Sequence, residues 1–195
     1  MATAAARQRM SYADYLAAEA ESDGRHEFVE GDAWAMAGGS RAHGLVSAAV
    51  TIALGSALRG RPCRVGNSDT RVHLPTLGDS VYPDVHVVCG KPTFAEADPD
   101  AVTNPVLVVE VLSPSTERWD RGGKFRRYET LPSLREILLL EPDERRAELF
   151  RRNDDGTFTR FVFSGDQAID LRSVDVQVPL ADVYAGVEAE REAAG

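Results

Sequence analysis

The sequence predicts a mixed α/β fold in which one β-sheet is flanked by helices. The run "PVLVVEVLS" is continuously aliphatic, which is typical of a strand buried on both faces. The run "SRAHGLVSAAVTIALGSALRG" carries no charge from residue 42 to 58, which predicts a helix covered on more than one side. Helix- and strand-like segments alternate along 195 residues, a length that fits one domain.

The N-terminal half predicts two helices and several short strands. Ser11 with Asp14 three residues later resembles a capping box and opens a short helix. "RHEFVEGDAWAM" predicts a hairpin around Gly31. Ser40 caps the apolar helix, and Gly60 ends it. "PCRVGNSDTRVHLP" then predicts two short strands or one bent strand, and "VYPDVHVVC" predicts another strand.

The C-terminal half begins with a predicted loop at 90–104, which contains two prolines, and continues with the central strand "PVLVVEVLS". "STERWDRGGKFRRYETL" predicts a helix, weakened by Gly122 and Gly123. "REILLLEP" and "RRAELFRR" predict strands, and the turn "NDDG" leads to "TFTRFVFS". A last short helix is expected from Leu180. The predicted domain spans 1–195, with frayed ends at about 1–9 and 187–195.

Composition excludes several classes of protein. Hydrophobic residues make up 43% and charged residues 27%, so the chain is not of a disordered type. No stretch approaches 18 apolar residues and no signal peptide is visible, which predicts no membrane span. Cys63 and Cys89 give neither a metal-ligand spacing nor a disulfide framework, which favours a reducing, cytoplasmic compartment. The net charge of −9 argues against broad electrostatic binding to nucleic acid.

Two carboxylates stand in segments that look buried. Asp84 lies within "YPDVHVV", and Glu110 lies within the aliphatic central strand. A buried, unpaired carboxylate costs several kcal/mol or takes up a proton. A hard divalent cation between two such groups would resolve the conflict. The alternative is that each carboxylate pairs with an arginine or caps a loop.

The helix after Glu110 adds a lysine and a basic patch. Helical periodicity places Lys124 inside the apolar stripe formed by Phe125, Tyr128 and Leu131, so its amine is expected to point inward. The alternative is a lysine whose stem packs while its amine stays in water. The same helix carries four arginines, which suit phosphate or form an ordinary solvated face: Arg118, Arg121, Arg126 and Arg127.

The motifs "PDV", "VVEVLSPST" and "DRGGKFRRY" resemble the PD-(D/E)xK nuclease pattern, in the form seen in the Uma-two family of restriction-endonuclease-like proteins. The similarity covers about residues 10–185. It implies a restriction-endonuclease-like fold and a metal-dependent phosphodiesterase. Asp84 and Glu110 match the two acids of the motif. Leu112 occupies the position of the motif's lysine, and the family resemblance places that lysine at Lys124 instead.

Further candidates come with alternatives. Glu27 matches an acid from the first part of this nuclease fold and is either a further metal ligand or a surface hairpin acid. His43 fits a satisfied core or capping histidine better than a ligand. His86 and His43 are both candidates for holding a metal-binding carboxylate in place without contacting the metal themselves. For Asp69, a loop carboxylate bonded to its own backbone is favoured.

The resulting hypothesis is Mg²⁺- or Mn²⁺-dependent endonuclease cleavage of DNA. Asp84, Glu110 and the backbone carbonyl of Val111 would hold the metal. Lys124 would orient the attacking water or neutralise charge on the phosphate. Flanking phosphates would be bound by Arg121 or Arg118, and a homodimer would suit the cutting of two strands. Two alternatives remain: a non-catalytic binding or assembly module, and a sugar hydrolase that uses two carboxylates without a metal.

Overall fold

The computed structural model describes residues 9–36 and 38–194, and there it confirms a mixed α/β fold with helices flanking the sheets. A π-helical segment, Trp119–Lys124, leads directly into the short helix α3. The α-helices of the described residues are α1 (Tyr12–Glu21), α2 (Arg41–Ala57), α3 (Phe125–Tyr128) and α4 (Leu180–Ala194).

The strands of the described residues form two six-stranded sheets and one two-stranded sheet, where one sheet was expected. Their bounds are β1 (His26–Val29), β2 (Asp32–Ala35), β3 (Cys63–Asn67), β4 (Val72–Leu74), β5 (Asp79–Val81), β6 (Val85–Cys89), β7 (Phe94–Ala95), β8 (Asp98–Val102), β9 (Leu107–Val111), β10 (Glu136–Leu140), β11 (Arg146–Arg152), β12 (Phe158–Ser164), β13 (Ala168–Leu171) and β14 (Val176–Pro179).

The order of neighbouring strands differs between the two six-stranded sheets. The first sheet runs β2-β1-β5-β4-β8-β7, and the second runs β12-β11-β10-β9-β6-β3. In the second sheet β9 and β10 are parallel neighbours at the centre, whereas the other neighbouring pairs are antiparallel. β13 and β14 form the separate pair.

β9 is buried on both faces, as its aliphatic sequence predicts. Val109 and Val111 belong to the hydrophobic cluster that contains α2 and α4 residues. Val108 and Leu112 belong to the cluster on the opposite face, with Tyr128. Because side chains alternate along a strand, Glu110 faces the same side as Val108 and Leu112. The central strand therefore presents one carboxylate to the side covered by the π-helical segment and α3.

Local signals in the N-terminal half are confirmed. The Ser11 hydroxyl accepts a hydrogen bond from the N–H of Asp14 at the start of α1 (3.1 Å). Ser40 caps α2 in the same way. The β1–β2 turn has Glu30 at φ 53° and Gly31 at φ 85°, which is the two-residue hairpin turn that glycine favours.

The segment "VYPDVHVVC" is not one strand, contrary to the sequence-based prediction. Asp79–Val81 and Val85–Cys89 belong to different sheets, and Pro83 and Asp84 lie between them. Proline lacks the N–H that a strand ladder needs, so the pairing stops there. The break places Asp84 at a crossing between the sheets.

Three other segments differ from expectation. Residues 90–104 contain the β7–β8 pair in place of a plain loop. The β13–β14 hairpin was not predicted. Residues 187–194, expected to fray, are helical in α4. The expected N-terminal fraying at 1–9 falls mostly outside the described residues, which begin at residue 9.

Cys63 and Cys89 form a disulfide, so the expectation that these two cysteines provide no disulfide framework is wrong. They are register partners on the adjacent antiparallel strands β3 and β6. Strand register brings them together, and that register cannot be read from two isolated cysteines. The cysteines therefore lend no support to the predicted reducing compartment. Separately, none of the helices in the described ranges combines the length and hydropathy needed to cross a bilayer.

Candidate active site

A cleft of about 1020 Å³ opens between the β1–β2 hairpin and the π-helical segment. Asp84, Glu110 and Lys124 all line it, so the structure brings these three predicted residues together. Two further acids, Glu27 and Asp120, line the same cleft. A volume of this size is at the upper end for ligand sites and can hold part of a polymer.

Lys124 is held among acidic side chains at the floor of the cleft. Its Nζ lies 2.9 Å from Oε1 of Glu110 and 3.0 Å from Oε1 of Glu27. It also donates a hydrogen bond of 2.8 Å to the backbone carbonyl of Tyr82. Asp120, four residues earlier in the π-helical segment, has Oδ1 at 4.0 Å. Lys124 is only 4% exposed, so the alternative of a lysine amine in bulk water is wrong.

Glu110 is fixed from the same side as Lys124. The Tyr128 hydroxyl donates a hydrogen bond of 2.6 Å to Oε1 of Glu110, the oxygen that also contacts Lys124. Tyr128 was predicted only as part of the apolar stripe of the helix. Its ring packs in the core, while its hydroxyl orients the carboxylate on β9.

Glu27 is a buried residue of β1, so the surface-acid alternative is wrong. Trp119 Nε1 donates to its Oε2 (2.9 Å), and the N–H of Tyr82 donates to its Oε1 (3.2 Å). Gly123 makes the position of Trp119 possible, because a Cβ at Gly123 would come within 2.0 Å of the Trp119 ring. The π-helical segment thus orients Glu27 as well as supplying Lys124.

Asp84 lies in the connection between β5 and β6 and faces the end of β9. Its Oδ2 accepts a hydrogen bond of 2.7 Å from the N–H of Val111. His43, in the first turn of α2, places Nε2 3.3 Å from the same oxygen. The hydrogen bond to Asp84 raises the pKa of His43 against the opposing effect of burial, and the backbone of Val111 adds to the rise. Asp84, His43 and the Val111 backbone therefore converge on one point.

Burial and the excess of carboxylates over ammonium groups both shift the pKa values of the cluster. Burial raises the pKa of Glu110 well above its ordinary value, with Lys124 opposing and the carboxylates of Asp120 and Asp84 adding to the rise. Burial likewise raises the pKa of Asp120. Burial opposes the charge of Lys124, but the surrounding carboxylates outweigh it and raise the pKa of Lys124. The ammonium therefore stays protonated while the acids compete for further positive charge.

The donor chemistry of the cluster fits a hard divalent cation. Mg²⁺ and Mn²⁺ take oxygen ligands, and the cleft floor offers carboxylates in excess of its one buried ammonium. Asp84, Glu110 and the carbonyl of Val111 are the groups that could hold such an ion. In the part of the chain that the structure describes, no three Asp, Glu, His or Cys side chains already form a metal-binding group. A cation would therefore require shifts of these side chains.

The two arginines predicted to bind phosphate lie in different surroundings. Arg118 is exposed and lines the cleft. Arg121 contacts Glu117, Glu141 and Glu148 at 2.8, 2.6 and 3.0 Å and is not among the cleft-lining residues. The three carboxylates give Arg121 a structural environment and leave Arg118 as the better placed cation.

The two remaining candidates, His86 and Asp69, both lie outside the cleft. His86 is buried on β6 opposite Gly66 and does not line the cleft. Burial lowers the pKa of His86 to about 4, so it is neutral at pH 7. Asp69 does not line the cleft, and its carboxylate accepts a hydrogen bond from Asn67 Nδ2 and pairs with Arg25, so its partners are side chains in place of the expected local backbone.

Several site residues were missed from sequence. Asp120 is not among the residues that the sequence predicts for the site, although its spacing of four residues from Lys124 is a usable signal. Trp119 and Trp34, which also line the cleft, carried no signal beyond their residue type.

Comparison with known proteins matches the chain to one family. Residues 12–181 match Uma2, described as "Putative restriction endonuclease". An uncharacterized protein of Synechocystis sp. is 34% identical over 179 residues, covering 92% of this chain and 93% of the relative. A second uncharacterized Synechocystis protein is 31% identical over 159 residues, covering 82% and 90%.

A solved structure shares the fold. It is a "putative nuclease belonging to DUF820" from Anabaena variabilis ATCC 29413, with a TM-score of 0.73 and 16% identity. The match covers 90% of this chain and 98% of the solved one. The restriction-endonuclease-like fold predicted from the sequence motifs is confirmed by these comparisons.

Proposed function

The chain belongs to the Uma2 family, and from that membership we propose that it is a metal-dependent endonuclease that hydrolyses phosphodiester bonds in DNA. The observation that carries the proposal is the lysine at the cleft floor. Lys124 Nζ lies about 3 Å from the buried carboxylates of Glu110 and Glu27. Asp84, which is hydrogen-bonded to the N–H of Val111 on β9, lines the same cleft. Acids and an ammonium in one cleft are the groups that phosphodiester hydrolysis needs.

Asp84, Glu110 and the carbonyl of Val111 would hold Mg²⁺ or Mn²⁺. When bound, such an ion supplies Lewis acidity, which makes a water molecule more acidic and stabilises charge on a phosphate. Asp84 is prepared for this task because the Val111 N–H already fixes its carboxylate (2.7 Å). Glu110 is prepared because the Tyr128 hydroxyl fixes its Oε1 (2.6 Å).

Lys124 provides a fixed positive charge. Its ammonium stays protonated because Glu110, Glu27 and Asp120 outweigh the effect of burial on its pKa. A preorganised ammonium stabilises the negative charge that develops on a phosphate without reorganising during the reaction. Glu27, held by Trp119, keeps the ammonium in place, which makes Glu27 a positioning residue.

The exposed arginines of the cleft would bind phosphates on either side of the bond that is cut. Arg118 and Arg126 are both exposed and both line the cleft. Arg121 is the weaker candidate, because three carboxylates already surround its guanidinium. A homodimer would place two such clefts on one DNA molecule, since twofold symmetry is the commonest assembly.

A second candidate function is a non-catalytic nucleic-acid-binding module. The observation that favours it is that Lys124 already neutralises part of the acid cluster. The motif position of the lysine is occupied by Leu112, a buried core residue. Binding without cleavage would follow if the cluster served only to stabilise the fold.

The test combines cleavage with metal-dependent stability. Purified protein is incubated with plasmid and oligonucleotide DNA in Mg²⁺, Mn²⁺ or EDTA, and we expect cleavage only with a metal. Asp84→Asn and Lys124→Ala should both lose cleavage. Asp84→Asn should also show a smaller rise in Tm with Mn²⁺ than the wild type, because one carboxylate ligand is gone.

Asp98→Asn is the matched control for the stability measurement. Asp98 is buried, and its carboxylate pairs with Arg71 outside the cleft. This variant should melt lower than the wild type and still gain the full Mn²⁺-dependent rise. Cleavage that persists in EDTA would reject the metal, and folded protein that binds DNA but cuts none would favour the binding module.

A further inference from the structure

The backbone of Tyr82 is bonded to the acid–lysine cluster and not to a neighbouring strand. Tyr82 lies between the end of β5 at Val81 and the start of β6 at Val85. Its N–H donates to Oε1 of Glu27 (3.2 Å), and its carbonyl accepts from Lys124 Nζ (2.8 Å). The same Oε1 lies 3.0 Å from that Nζ, so the three groups form a closed ring. A shift of the Tyr82 backbone would therefore move Glu27 and Lys124 together.

The side chain of Tyr82 is anchored by two ionised groups. Its hydroxyl donates to Oε1 of Glu19 (2.9 Å) and accepts a hydrogen bond from Nη1 of Arg71 (2.9 Å). Arg71 is itself fixed, because its Nε and Nη2 donate to the two carboxylate oxygens of Asp98 (2.7 and 2.9 Å). Hydrogen bonds to ionised partners are stronger than those between neutral groups. The phenol is therefore held from two sides.

The groups that anchor the phenol come from outside the cleft. Glu19 belongs to α1, Arg71 directly precedes β4 and Asp98 belongs to β8, and none of the three lines the cleft. A buried ion pair is often no more stabilising than apolar residues of the same volume. A polar network whose members are all hydrogen-bonded does, however, fix the positions of its members. Positioning of Tyr82 is thus a role that this network is suited to perform.

We infer that Tyr82 is a positioning residue: its phenol, anchored by Glu19 and Arg71, fixes the peptide group that holds Lys124 and Glu27. Tyr82 acts through these two residues, and α1 and β4 thereby control the ammonium at the cleft floor. The effect on DNA cleavage rests on the proposed function. The effect on Lys124 itself does not, so it can be measured without any cleavage.

The reactivity of Lys124 is the first readout, because the chain contains only two lysines. Lys91 is exposed and serves as the internal reference. The protein is acetylated with N-hydroxysuccinimide acetate in EDTA, and peptide mass spectrometry gives the rate at Lys124 relative to Lys91. Tyr82→Phe keeps the ring but removes the hydroxyl. It should raise the relative rate at Lys124 by at least about fivefold, the factor that corresponds to one lost hydrogen bond.

Two substitutions of Glu19 test the anchor from its other side. Glu19→Gln retains an oxygen that can accept from the Tyr82 hydroxyl, so its relative rate at Lys124 should stay near that of the wild type. Glu19→Ala removes the acceptor and should resemble Tyr82→Phe. Equal rates for Glu19→Ala and the wild type would contradict the inference.

Tyr184→Phe is the matched control for a loss of stability alone. Tyr184 is 1% exposed, and its hydroxyl is hydrogen-bonded to the backbone carbonyls of Glu141 and Arg146 (2.6 and 2.9 Å), away from the cleft lining. The variant should lose stability in urea but leave the relative rate at Lys124 unchanged. An equal rise in Tyr184→Phe and Tyr82→Phe would mean that acetylation follows global opening, and would overturn the inference.

Steady-state cleavage with Mn²⁺ is the second readout. Tyr82→Phe should lower kcat by up to about 100-fold, the cost of a misplacement of about 1 Å, and leave KM unchanged. A lower kcat at constant KM is expected because the ammonium acts on charge that develops in the transition state. Tyr184→Phe should keep both constants.

The inference and the proposed function fail in different ways. Unchanged acetylation of Lys124 in Tyr82→Phe overturns the inference, whether or not the wild type cuts DNA. Raised acetylation with an unchanged kcat also overturns it, because Tyr82 would then have no influence on turnover. Raised acetylation in a protein whose wild type cuts no DNA supports the hold of Tyr82 on Lys124 and overturns the nuclease proposal.

Discussion

At Lys124 one ammonium is shared among several buried carboxylates, and this imbalance is a source of pH dependence. Burial raises the pKa of Glu110 in the folded state. The folded protein therefore binds the Glu110 proton more tightly than the unfolded chain does. The stability linked to this proton is full below the ordinary glutamate pKa and is lost as the pH rises through the raised value.

We expect Glu110→Gln to gain stability relative to the wild type as the pH rises from 5 to 8. Glutamine can still accept hydrogen bonds from Tyr128 and Lys124 but cannot ionise. The variant therefore does not lose stability through this group as the pH rises. For one group the difference can grow by at most about 1.4 kcal/mol per pH unit. Urea unfolding in EDTA at pH 5, 6, 7 and 8 measures the difference in free energy of unfolding.

Glu148→Gln serves as the control for that series. Burial opposes the ionisation of Glu148, but Arg160 and Arg121 outweigh it and lower the pKa of Glu148. The stability from this group is present above the ordinary glutamate pKa and is lost only as the pH falls. The deficit of Glu148→Gln should therefore stay constant from pH 5 to 8. A constant difference for Glu110→Gln as well would contradict the assignment.

The sequence alone could identify the acids that face the core, but not all of their partners. Glu110 stood out because burying a carboxylate within a continuous aliphatic strand costs free energy unless the group is paired, hydrogen-bonded or protonated. Lys124 stood out through helical periodicity, although it lies in a π-helical turn with a different angular step. Glu27 and Trp119 are linked by a hydrogen bond across 92 positions, and no local pattern encodes such a contact.

At the scale of elements, the π-helical segment organises one wall of the site. It carries Asp120 and Lys124 on its buried side and Trp119 above Gly123. π-helical turns are rare in proteins and occur often at functional sites. Here the segment sets the orientation of Lys124 and, through Trp119, of Glu27 on the facing strand.

Two adjacent glycines of this segment give a matched test. A Cβ at Gly123 would lie 2.0 Å from the Trp119 ring, whereas a Cβ at Gly122 would meet nothing within 4 Å. Gly123→Ala should displace the indole, cost about 1–3 kcal/mol and reduce cleavage, because Oε2 of Glu27 loses the hydrogen bond from Trp119. Gly122→Ala should stay within about 1 kcal/mol of the wild type and keep activity. Equal melting temperatures for the two variants would show that Trp119 can relocate.

Arg121 and Arg118 should separate stability from binding. Arg121 contacts three carboxylates, so Arg121→Ala should lower the free energy of unfolding by about 1.5–3 kcal/mol and leave DNA affinity nearly unchanged. Arg118→Ala should change stability by less than about 0.5 kcal/mol and weaken DNA binding. The opposite pattern would restore Arg121 as the phosphate contact. Urea unfolding measures the stability of both variants, and the anisotropy of a labelled oligonucleotide measures their affinity for DNA.

Element boundaries were predictable where a residue acts locally and not where pairing is distant. Ser11, Ser40 and Gly31 each act within a few residues, and each placed its helix or turn correctly. The disulfide depends on the register of β3 against β6, so the positions of Cys63 and Cys89 in the sequence do not predict it. Pro83 was recognised as unsuited to a strand, but the change of sheet that follows it was not.

For the whole molecule, the net charge of −9 must be reconciled with a polyanionic substrate. The overall field repels DNA, so attraction must come from the few cations in the cleft. The exposed cleft arginines are Arg118 and Arg126, and Lys124 lies at the floor. The protein should therefore contact few phosphates and bind DNA with modest affinity.

A shallow salt dependence is expected from this charge distribution. With the single strand decathymidylate as ligand, each neutralised phosphate contributes about −0.7 to the slope of log affinity against log salt concentration, so two or three contacts predict a slope of about −1.4 to −2.1. Arg126→Ala should bring the slope closer to zero by about 0.7. Arg59→Ala, which removes an exposed arginine that does not line the cleft, should leave the slope unchanged. Titrating decathymidylate in EDTA from low to physiological salt measures all three proteins. A wild-type slope steeper than about −5 would require a far larger cationic surface and would place the DNA outside the cleft.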